Sequence, residues 1–170
     1  HIEGLATGDS APFFGVSNPG VRLAPHVAKQ TEIGVKYDGI GIGGSLAAFR
    51  TERAVGAVSN GVFREGGDQQ NQGIELSVFG EPALGVRVLG GVTLIDTEMK
   101  DTDNGAYDGN HAIGVPKTQA NIGGEWDVPG LGGLTLTSRI VYTSSQYTDL
   151  DNSRELPSWT RLDLGARYSM

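Results

Sequence analysis

The strongest constraint in this sequence is a two-residue alternation of apolar and polar side chains. In the segment Lys117–Asp127, the residues Ala120, Ile122 and Trp126 alternate with polar or glycine positions. The same period recurs in three further segments, which are Lys29–Tyr37, Gly73–Phe79 and Trp159–Tyr168. This alternation is typical of a β-strand with one apolar and one polar face. Because helical spacing is not sustained and 27 glycines disfavour helices, the sequence predicts an all-β chain.

Four more segments have the composition of strands with a less regular alternation. They are Ile2–Leu5, Ile42–Glu52, Val86–Glu98 and Leu134–Gln146. The longer ones run for about 10 to 13 residues, which exceeds the usual 5–6 of a globular strand and suits the 9–11 of a tilted membrane strand. The predicted fold class is an all-β antiparallel meander of about seven or eight long strands, which is part of an outer-membrane-type β-barrel or closes as one.

The predicted connections alternate between short and long. The short ones, rich in Gly, Pro and Asp, are Asp38–Gly41, Gly80–Gly85 and Asp127–Gly133. The long polar ones are 53–72, 99–116 and 147–157. Outer-membrane barrels have short periplasmic turns and long external loops, whereas soluble sandwiches have moderate loops at both ends. Within the first long loop, the segment Gly61–Arg64 is apolar enough to pair as a hairpin.

Aromatic side chains lie near the ends of the predicted strands. They are Tyr37, Trp126, Trp159 and Tyr168. Membrane barrels carry such residues as girdles at both interfaces, while aromatic residues also favour strands in general. Both interpretations stay open at this point.

Composition excludes several classes of function. The chain has no cysteine, so disulfide scaffolds, thiolate metal sites and cysteine nucleophiles are excluded. A net charge of −7 and a pI near 4.8 disfavour nucleic acid as a partner. The histidines His1, His26 and His111 are not at metal-ligand spacing, and Ser144-Ser145 lacks the context of a nucleophile. We therefore predict that the chain is not an enzyme.

One acidic segment, 101–108, is the best candidate for a cation site, with Asp96 and Glu98 on the strand that precedes it. The weak calcium candidates are Asp101, Asp103 and Asp108. Oxygen ligands on a glycine-containing loop suit Ca²⁺, but the spacing departs from that of an EF-hand. A solvated acidic loop is the favoured interpretation.

A series of short motifs runs along almost the whole chain. They are His1-Ile2-Glu3-Gly4-Leu5, Leu23-Ala24-Pro25, Lys29-Gln30-Thr31-Glu32-Ile33-Gly34-Val35-Lys36-Tyr37, Leu46-Ala47-Ala48-Phe49-Arg50, Asn71-Gln72-Gly73-Ile74-Glu75-Leu76-Ser77, Gly90-Gly91-Val92-Thr93, Gly114-Val115-Pro116-Lys117 and Leu156-Pro157-Ser158-Trp159-Thr160-Arg161-Leu162-Asp163-Leu164-Gly165. In kind and in order, this series resembles the C-terminal β-barrel of TonB-dependent siderophore receptors of the ferrichrome and pyoverdine type.

The resemblance implies a fragment of a receptor for TonB-dependent uptake of ferric siderophores in the outer membrane of a Gram-negative bacterium. Residues 1–170 would be a partial barrel domain without plug domain, TonB box or last strands. The resemblance implies no cofactor, with the ferric siderophore as transported ligand. The implied partners are that siderophore, the TonB system through parts outside this chain, and the bilayer with its lipopolysaccharide. An isolated fragment would also self-associate through its unpaired edge strands.

The resemblance also implies where a ligand is held. Receptors of this type bind ferric siderophores with aromatic and polar side chains on outer loops. From location alone, the candidates here are Phe63, Arg64, Tyr107, His111 and Tyr147. An anionic ligand would use Arg64 as a charge-assisted donor, and the alternative is that all five are ordinary loop residues.

Charged residues on the predicted strands are expected to face inward. They are Glu125, Arg139, Arg161, Asp163 and Arg167. At these positions they would form a ladder of cross-strand charges on the polar face of the sheet.

A second hypothesis comes from a different class, a soluble secreted β-sandwich or barrel that acts as a binding or structural module. In that case the apolar faces would lie in a dry interior between two stacked layers. The residues that distinguish the two hypotheses are Ile33, Leu76, Ile122 and Leu164.

Overall fold

The structure is a computed structural model that describes residues 2–169, so His1 and Met170 lie outside the described range. The strands are β1 (Ile2–Ala6), β2 (His26–Asp38), β3 (Ile42–Ser59), β4 (Val62–Ala83), β5 (Val86–Lys100), β6 (Thr118–Asp127), β7 (Leu134–Thr143), β8 (Gln146–Tyr147), β9 (Glu155–Leu156) and β10 (Trp159–Tyr168). Eight of them form one antiparallel sheet in the order β1-β2-β3-β4-β5-β6-β7-β10. The small β8–β9 pair lies inside the β7–β10 connection. The predicted all-β antiparallel meander is confirmed.

One face of the sheet is apolar across its whole width. A single row of paired positions shows this, running through Val35, Leu46, Leu76, Val92, Ala120 and Tyr142. The side chains of this face are exposed, with Ile33 at 78%, Ile122 at 58% and Leu164 at 75% relative exposure. We call this surface the apolar band. Monomeric soluble proteins rarely leave so continuous an apolar surface open to water.

The opposite face is mainly polar, although Phe79 and Leu89 also lie on it. The neighbouring row of that face runs through Lys36, Ser45, Ser77, Gly91, Asn121, Val141 and Arg161. The hydroxyl groups of Ser45 and Ser77 lie 2.8 Å apart across this row. A sheet with lipid on one side and a polar lumen on the other has this distribution of residues.

The sheet is open among residues 2–169. Strand β1 pairs only with β2, and β10 pairs only with β7, so the strand order does not close on itself. Of the two expected architectures, the structure shows part of a barrel wall, not a small closed barrel. Apart from the two-residue strands β8 and β9, the described residues form no second sheet, so there is no stacked layer to cover the apolar band. No helix within residues 2–169 has the length and apolar character needed to cross a membrane.

The prediction of a long loop over 53–72 is wrong. Strands β3 and β4 continue through this region as a hairpin that ends at Asn60 and Gly61. Both residues have positive φ, 50° and 74° respectively, as a two-residue type I′ turn requires. The hairpin interpretation of Gly61–Arg64 is confirmed, since Val62 and Phe63 pair with Ser59 and Val58. The prediction failed because residues 64–72 are all polar or glycine and a register shift after Ala54 interrupts the extension, so no regular alternation marks it.

We expect the substitution Gly61→Val to destabilise the hairpin tip by about 1–2 kcal/mol, since a β-branched residue is strained in the left-handed region. Hydrogen exchange of the amides between 57 and 64 should then be roughly tenfold faster. The matched substitution Asn60→Gly keeps a residue that tolerates positive φ and should leave exchange nearly unchanged. Equal exchange in wild type and Gly61→Val would contradict the turn assignment.

The short connections are confirmed, with turns at 39–41, 84–85 and 128–133. All lie at one end of the sheet, because the strands alternate in direction. One aromatic prediction needs correction. Trp159 pairs with Thr143, which pairs with Gln119, so Trp159 lies on the polar face and cannot belong to a lipid-facing girdle. The other three aromatics, Tyr37, Trp126 and Tyr168, lie on the apolar face near the short-turn end.

Candidate functional site

The two long connections 101–117 and 144–158 fold against the far ends of the extended strands. Their buried centre is a cluster of Val55, Met99 and Ala112, which are 8%, 3% and 2% exposed. Partly buried hydrophobic residues pack against this cluster from both connections, and they are Tyr107, Val115 and Leu150. We call this arrangement the loop platform. It gives the two loops a common apolar anchor on β3 and β5.

Within the first connection, a short 3₁₀ turn at Asp103–Gly105 is held by one carboxylate. The backbone N–H and hydroxyl of Thr102 both donate to Asp108 Oδ1, at 2.9 and 2.7 Å. These donors hold the pKa of Asp108 below its ordinary value, because they stabilise the ionised form. The connection is tied to β5 by the backbone bonds Met99 N–H to Asn110 O and Gly109 N–H to Met99 O.

The two loops are joined to each other by side-chain amides. Asn152 accepts the backbone N–H of His111 through Oδ1 at 2.7 Å and donates through Nδ2 to the His111 carbonyl at 3.0 Å. Asn110 Nδ2 donates to the Leu150 carbonyl at 2.7 Å. The side-chain amide of Asn152 thus pairs with both backbone groups of His111, as the backbone of a neighbouring strand would. We call this set of bonds the loop clasp.

A ring stack completes the loop clasp. The rings of His111 and Tyr147 are nearly parallel, with an interplanar angle of 7° and centroids 5.8 Å apart. His111 Nδ1 lies 2.9 Å from the Thr97 carbonyl, and Gly114 N–H donates to the Tyr147 carbonyl at 2.9 Å. A hydrogen bond with Glu155 raises the pKa of the Tyr147 hydroxyl above its ordinary value. The two rings therefore present one half-buried aromatic surface.

The structure brings together three of the five predicted ligand residues, because Tyr107, His111 and Tyr147 all belong to the loop platform or its clasp. Phe63 is only 6% exposed, and its ring packs over Gly56 near Leu23. It therefore has a packing role in the hairpin. Arg64 is exposed and pairs with Asp103 Oδ2 at 2.7 Å. Binding of a ligand by any of the five stays a prediction.

Two carboxylates of the acidic segment 101–108 already form contacts within the protein. Asp108 holds Thr102, and Asp103 holds Arg64. Asp101 lies at positive φ of 50°. Among residues 2–169, no group of three His, Asp or Glu side chains is arranged to hold a metal ion. The calcium site at Asp101, Asp103 and Asp108 stays a prediction that this geometry does not favour.

The predicted charge ladder lies on the polar face as expected. Arg161 pairs with Asp163 at 3.1 Å, Asp163 lies opposite Arg139, and Arg167 lies 3.6 Å from Glu125. These contacts lie among the residues that β6, β7 and β10 present to the same side.

The sequence reasoning missed the residue at the centre of this group, Arg87. Its guanidinium bonds both carboxylate oxygens of Asp127, each at 2.7 Å, and Glu125 at 3.1 Å. Thr135 adds a hydrogen bond to Asp127. The alternation of Val86–Glu98 was irregular around this position, so no face could be assigned to Arg87 from the sequence.

We expect Asp108→Asn to loosen the first connection, because an amide oxygen accepts more weakly than a carboxylate from two donors. Hydrogen exchange at the Thr102 amide should become several-fold faster at neutral pH. In the wild type the stabilisation of Thr102 by the Asp108 carboxylate is complete above the ordinary pKa of Asp, near 3.9. It is lost only as the pH falls through the lowered pKa that Asp108 has in the folded protein.

The control for this prediction is Asp151→Asn, which changes an exposed carboxylate of the second connection. It should leave exchange at Thr102 unchanged. A wild-type Thr102 amide that loses its protection well above pH 4 would show that the pKa of Asp108 is not lowered.

Comparison with known proteins gives a consistent result. Residues 3–170 match the family model described as TonB dependent receptor-like, beta-barrel. The ferrichrome receptor FcuA of Yersinia enterocolitica is 44% identical over 100% of this chain and 23% of its own length. The ferrichrome outer membrane transporter/phage receptor of Escherichia coli is 33% identical over 94% of this chain and 22% of its own length.

Solved structures give the same result. BauA, the ferric preacinetobactin receptor of Acinetobacter baumannii, superposes with a TM-score of 0.79 at 41% identity, over 98% of this chain and 26% of its own. The siderophore receptor PiuA of the same organism superposes with a TM-score of 0.74 at 30% identity, over 85% of this chain and 22% of its own. The chain thus spans about a quarter of the relatives that it matches. With this sheet, these motifs and these matches, the chain belongs to the TonB dependent receptor-like β-barrel family.

Proposed function

We propose that this chain is a section of the barrel wall of an outer-membrane receptor that imports ferric siderophores with energy from the TonB system. The observation that carries the proposal is the two-faced sheet. Its apolar band is open and continuous, whereas its other face carries paired charges. A barrel wall between hydrocarbon and a polar lumen needs this arrangement.

The open edges fit the same proposal. Strands β1 and β10 each pair with a single neighbouring strand, and an open sheet edge is costly in a bilayer because no water can hydrogen-bond to its backbone groups. In a complete barrel these edges pair with further strands of the same receptor. The lengths of the relatives support this setting, since each match covers only about a quarter of the longer protein.

The names of the relatives support ferric siderophores as the class of ligand. One relative is a ferrichrome receptor, another is a ferrioxamine B receptor at 31% identity, and BauA is a ferric preacinetobactin receptor. We infer that the loop platform, with Tyr107, His111 and Tyr147, forms part of the outer vestibule that such a chelate meets. A half-buried aromatic surface beside polar groups suits an apolar chelate that carries exposed oxygens. No catalytic step is part of this proposal.

The test is iron uptake by cells. The gene that encodes this chain is deleted, and cells are supplied with ⁵⁵Fe bound to ferrichrome, ferrioxamine B or preacinetobactin. The proposal expects uptake of at least one chelate to fall to the level of a TonB-deficient strain and to return on complementation. Unchanged uptake of every chelate would overturn the proposed class of ligand.

A matched pair of variants tests the role of the platform. His111→Ala combined with Tyr147→Ala should reduce binding of the imported chelate, while Tyr37→Ala removes an aromatic from the apolar face and should leave binding intact. Equal binding of the chelate by both variants would show that the aromatic surface of His111 and Tyr147 is not part of the vestibule.

A further inference from the structure

Five asparagines lie outside the strands, and they differ in the hydrogen bonding of the residue that follows each one. They are Asn18, Asn60, Asn104, Asn110 and Asn152. The side-chain amide of a loop asparagine can be attacked by the backbone nitrogen of the next residue, which closes a five-membered ring and releases ammonia. That nitrogen must lose its proton and approach the side-chain carbon, so a hydrogen bond that it already donates protects the asparagine.

Four of the five asparagines are protected in this way. Asn18 is followed by Pro19, whose nitrogen carries no hydrogen. After the other three, the next N–H already donates a hydrogen bond, and the acceptors are the Thr102 carbonyl at 2.8 Å, Asn152 Oδ1 at 2.7 Å and Asp149 Oδ1 at 2.9 Å. The side-chain amides of three of the four also form hydrogen bonds of their own.

Asn60 is the exception. It lies at the exposed tip of the β3–β4 hairpin, and among residues 2–169 the N–H of Gly61 donates no hydrogen bond. Gly61 has no side chain to hinder the approach, and a Cβ at this position would meet nothing within 4 Å. Ring closure requires the turn to open, and local opening costs least at exposed tips that bury few contacts.

A second Asn-Gly pair in the chain, Asn104-Gly105, provides an internal comparison. Both asparagines are exposed and have positive φ, 50° for Asn60 and 55° for Asn104. The glycines match as well, with φ of 74° and 68°. The two pairs differ in the bond from the Gly105 N–H to the Thr102 carbonyl, which closes the 3₁₀ turn of the first connection. The sequence does not distinguish the two pairs, whereas the structure does.

From this difference we infer that Asn60 is a site of spontaneous deamidation, whereas Asn104 is protected. The Gly61 nitrogen forms a bond to Asn60 Cγ, and its proton passes through water to the side-chain nitrogen. The Cγ–Nδ2 bond breaks, ammonia leaves and a succinimide ring remains. Water then opens the ring at one of its two carbonyls, which gives aspartate or isoaspartate. One water is consumed and one ammonia released, with no oxidation or reduction. Each event adds a negative charge next to Ser59, whose hydroxyl accepts from Arg64 at 2.9 Å.

The test incubates the full receptor in detergent micelles at mildly alkaline pH and follows the peptides that contain Asn60 and Asn104 by mass spectrometry. Deamidation should be roughly tenfold faster at Asn60, the factor that about one net hydrogen bond is worth. In receptor unfolded by denaturant, the two Asn-Gly pairs should react at similar rates. Equal rates in the folded receptor overturn the inference, and so does a tenfold difference that persists in denaturant, because the fold would not be its cause.

A variant tests the protecting hydrogen bond. Asp108→Asn weakens the bonds that hold Thr102, so the turn that contains Gly105 should open more often. Deamidation at Asn104 should then become several-fold faster, while the rate at Asn60 stays the same. Asp151→Asn is the matched control and should change neither rate. If the Gly105 amide exchanges faster in Asp108→Asn but Asn104 reacts no faster, the hydrogen bond does not protect it and the inference is overturned.

Deamidation at Asn60 does not depend on the proposed transport function, and the two fail separately. Unchanged uptake of every chelate in the deletion strain overturns the proposed class of ligand and leaves the chemistry of the hairpin tip as inferred. Equal deamidation at Asn60 and Asn104 in the folded receptor overturns the inference and leaves the proposed function as it stands.

Discussion

In the parent receptor, Leu76→Arg is expected to block insertion of the barrel or to reduce it severely. Leu76 lies within the apolar band, with Ile74 and Val78 on its own strand and Leu46 and Val92 beside it. An arginine on the lipid face of a membrane barrel costs about 2–4 kcal/mol near the bilayer midplane. The measurement is the fraction of receptor that is folded in outer-membrane vesicles, scored by its mobility before and after heating.

The matched control is Ser77→Arg, one residue further along the same strand. Ser77 faces the other side, where Ser45 and Asn121 belong to its row. A charge there meets polar neighbours, so the folded fraction should stay near that of the wild type. Equal effects of the two substitutions would show that the faces of the sheet have been assigned incorrectly.

The second large effect is expected for Met99→Ala, which empties the centre of the loop platform. Met99 is 3% exposed and packs with Val55 and Ala112. Truncation of a buried methionine to alanine costs about 2–5 kcal/mol. Hydrogen exchange at the amides of His111 and Gly114 should become about 30-fold faster or more, since these amides belong to the loop clasp.

Leu84→Ala provides the comparison for Met99→Ala. Leu84 lies in the short turn between β4 and β5 and is 99% exposed, so its truncation removes no buried contact. It should leave exchange at His111 and Gly114 unchanged. If Met99→Ala also leaves those amides as protected as in the wild type, the apolar cluster does not hold the two loops.

The strands inside the apolar band could be predicted from the sequence because one apolar and one polar face impose a strict period of two. Lys117–Asp127 was predicted as a strand, and β6 covers Thr118–Asp127. Trp159–Tyr168 was predicted, and β10 has the same bounds. A slip of one residue would turn every apolar side chain toward the polar face, so register is strongly specified here.

The extension of β3 and β4 beyond the band could not be predicted in the same way. Residues 53–59 and 62–72 pair across a register shift between Ala54 and Gly56, and residues 64–72 contain no apolar side chain, so alternation gives no clear signal there. The useful signal was local, since Asn60-Gly61 is the sequence of a type I′ turn. That dipeptide would have identified a hairpin where a long polar loop was predicted.

The candidate site was only partly accessible to sequence reasoning. His111 and Tyr147 were singled out separately, but nothing in the sequence indicates that their rings stack. The loop clasp depends on Asn110 and Asn152. Nothing in the sequence around a loop asparagine indicates that its side chain bonds to a distant segment. Such contacts arise from two loops that meet in space, at 41 residues' separation for the bond between His111 and Asn152.

The central claim is that the apolar band touches hydrocarbon, and a labelling scan along β4 tests it most directly. Single cysteines are introduced from 73 to 79 in a receptor freed of any other cysteine, so that each spin label has a defined position; the chain itself has no cysteine. In a bilayer, labels at 74, 76 and 78 should collide with oxygen, while labels at 73, 75, 77 and 79 should be shielded from it. Oxygen accessibility that does not alternate, with all seven labels in water or in a dry interior, would contradict the account.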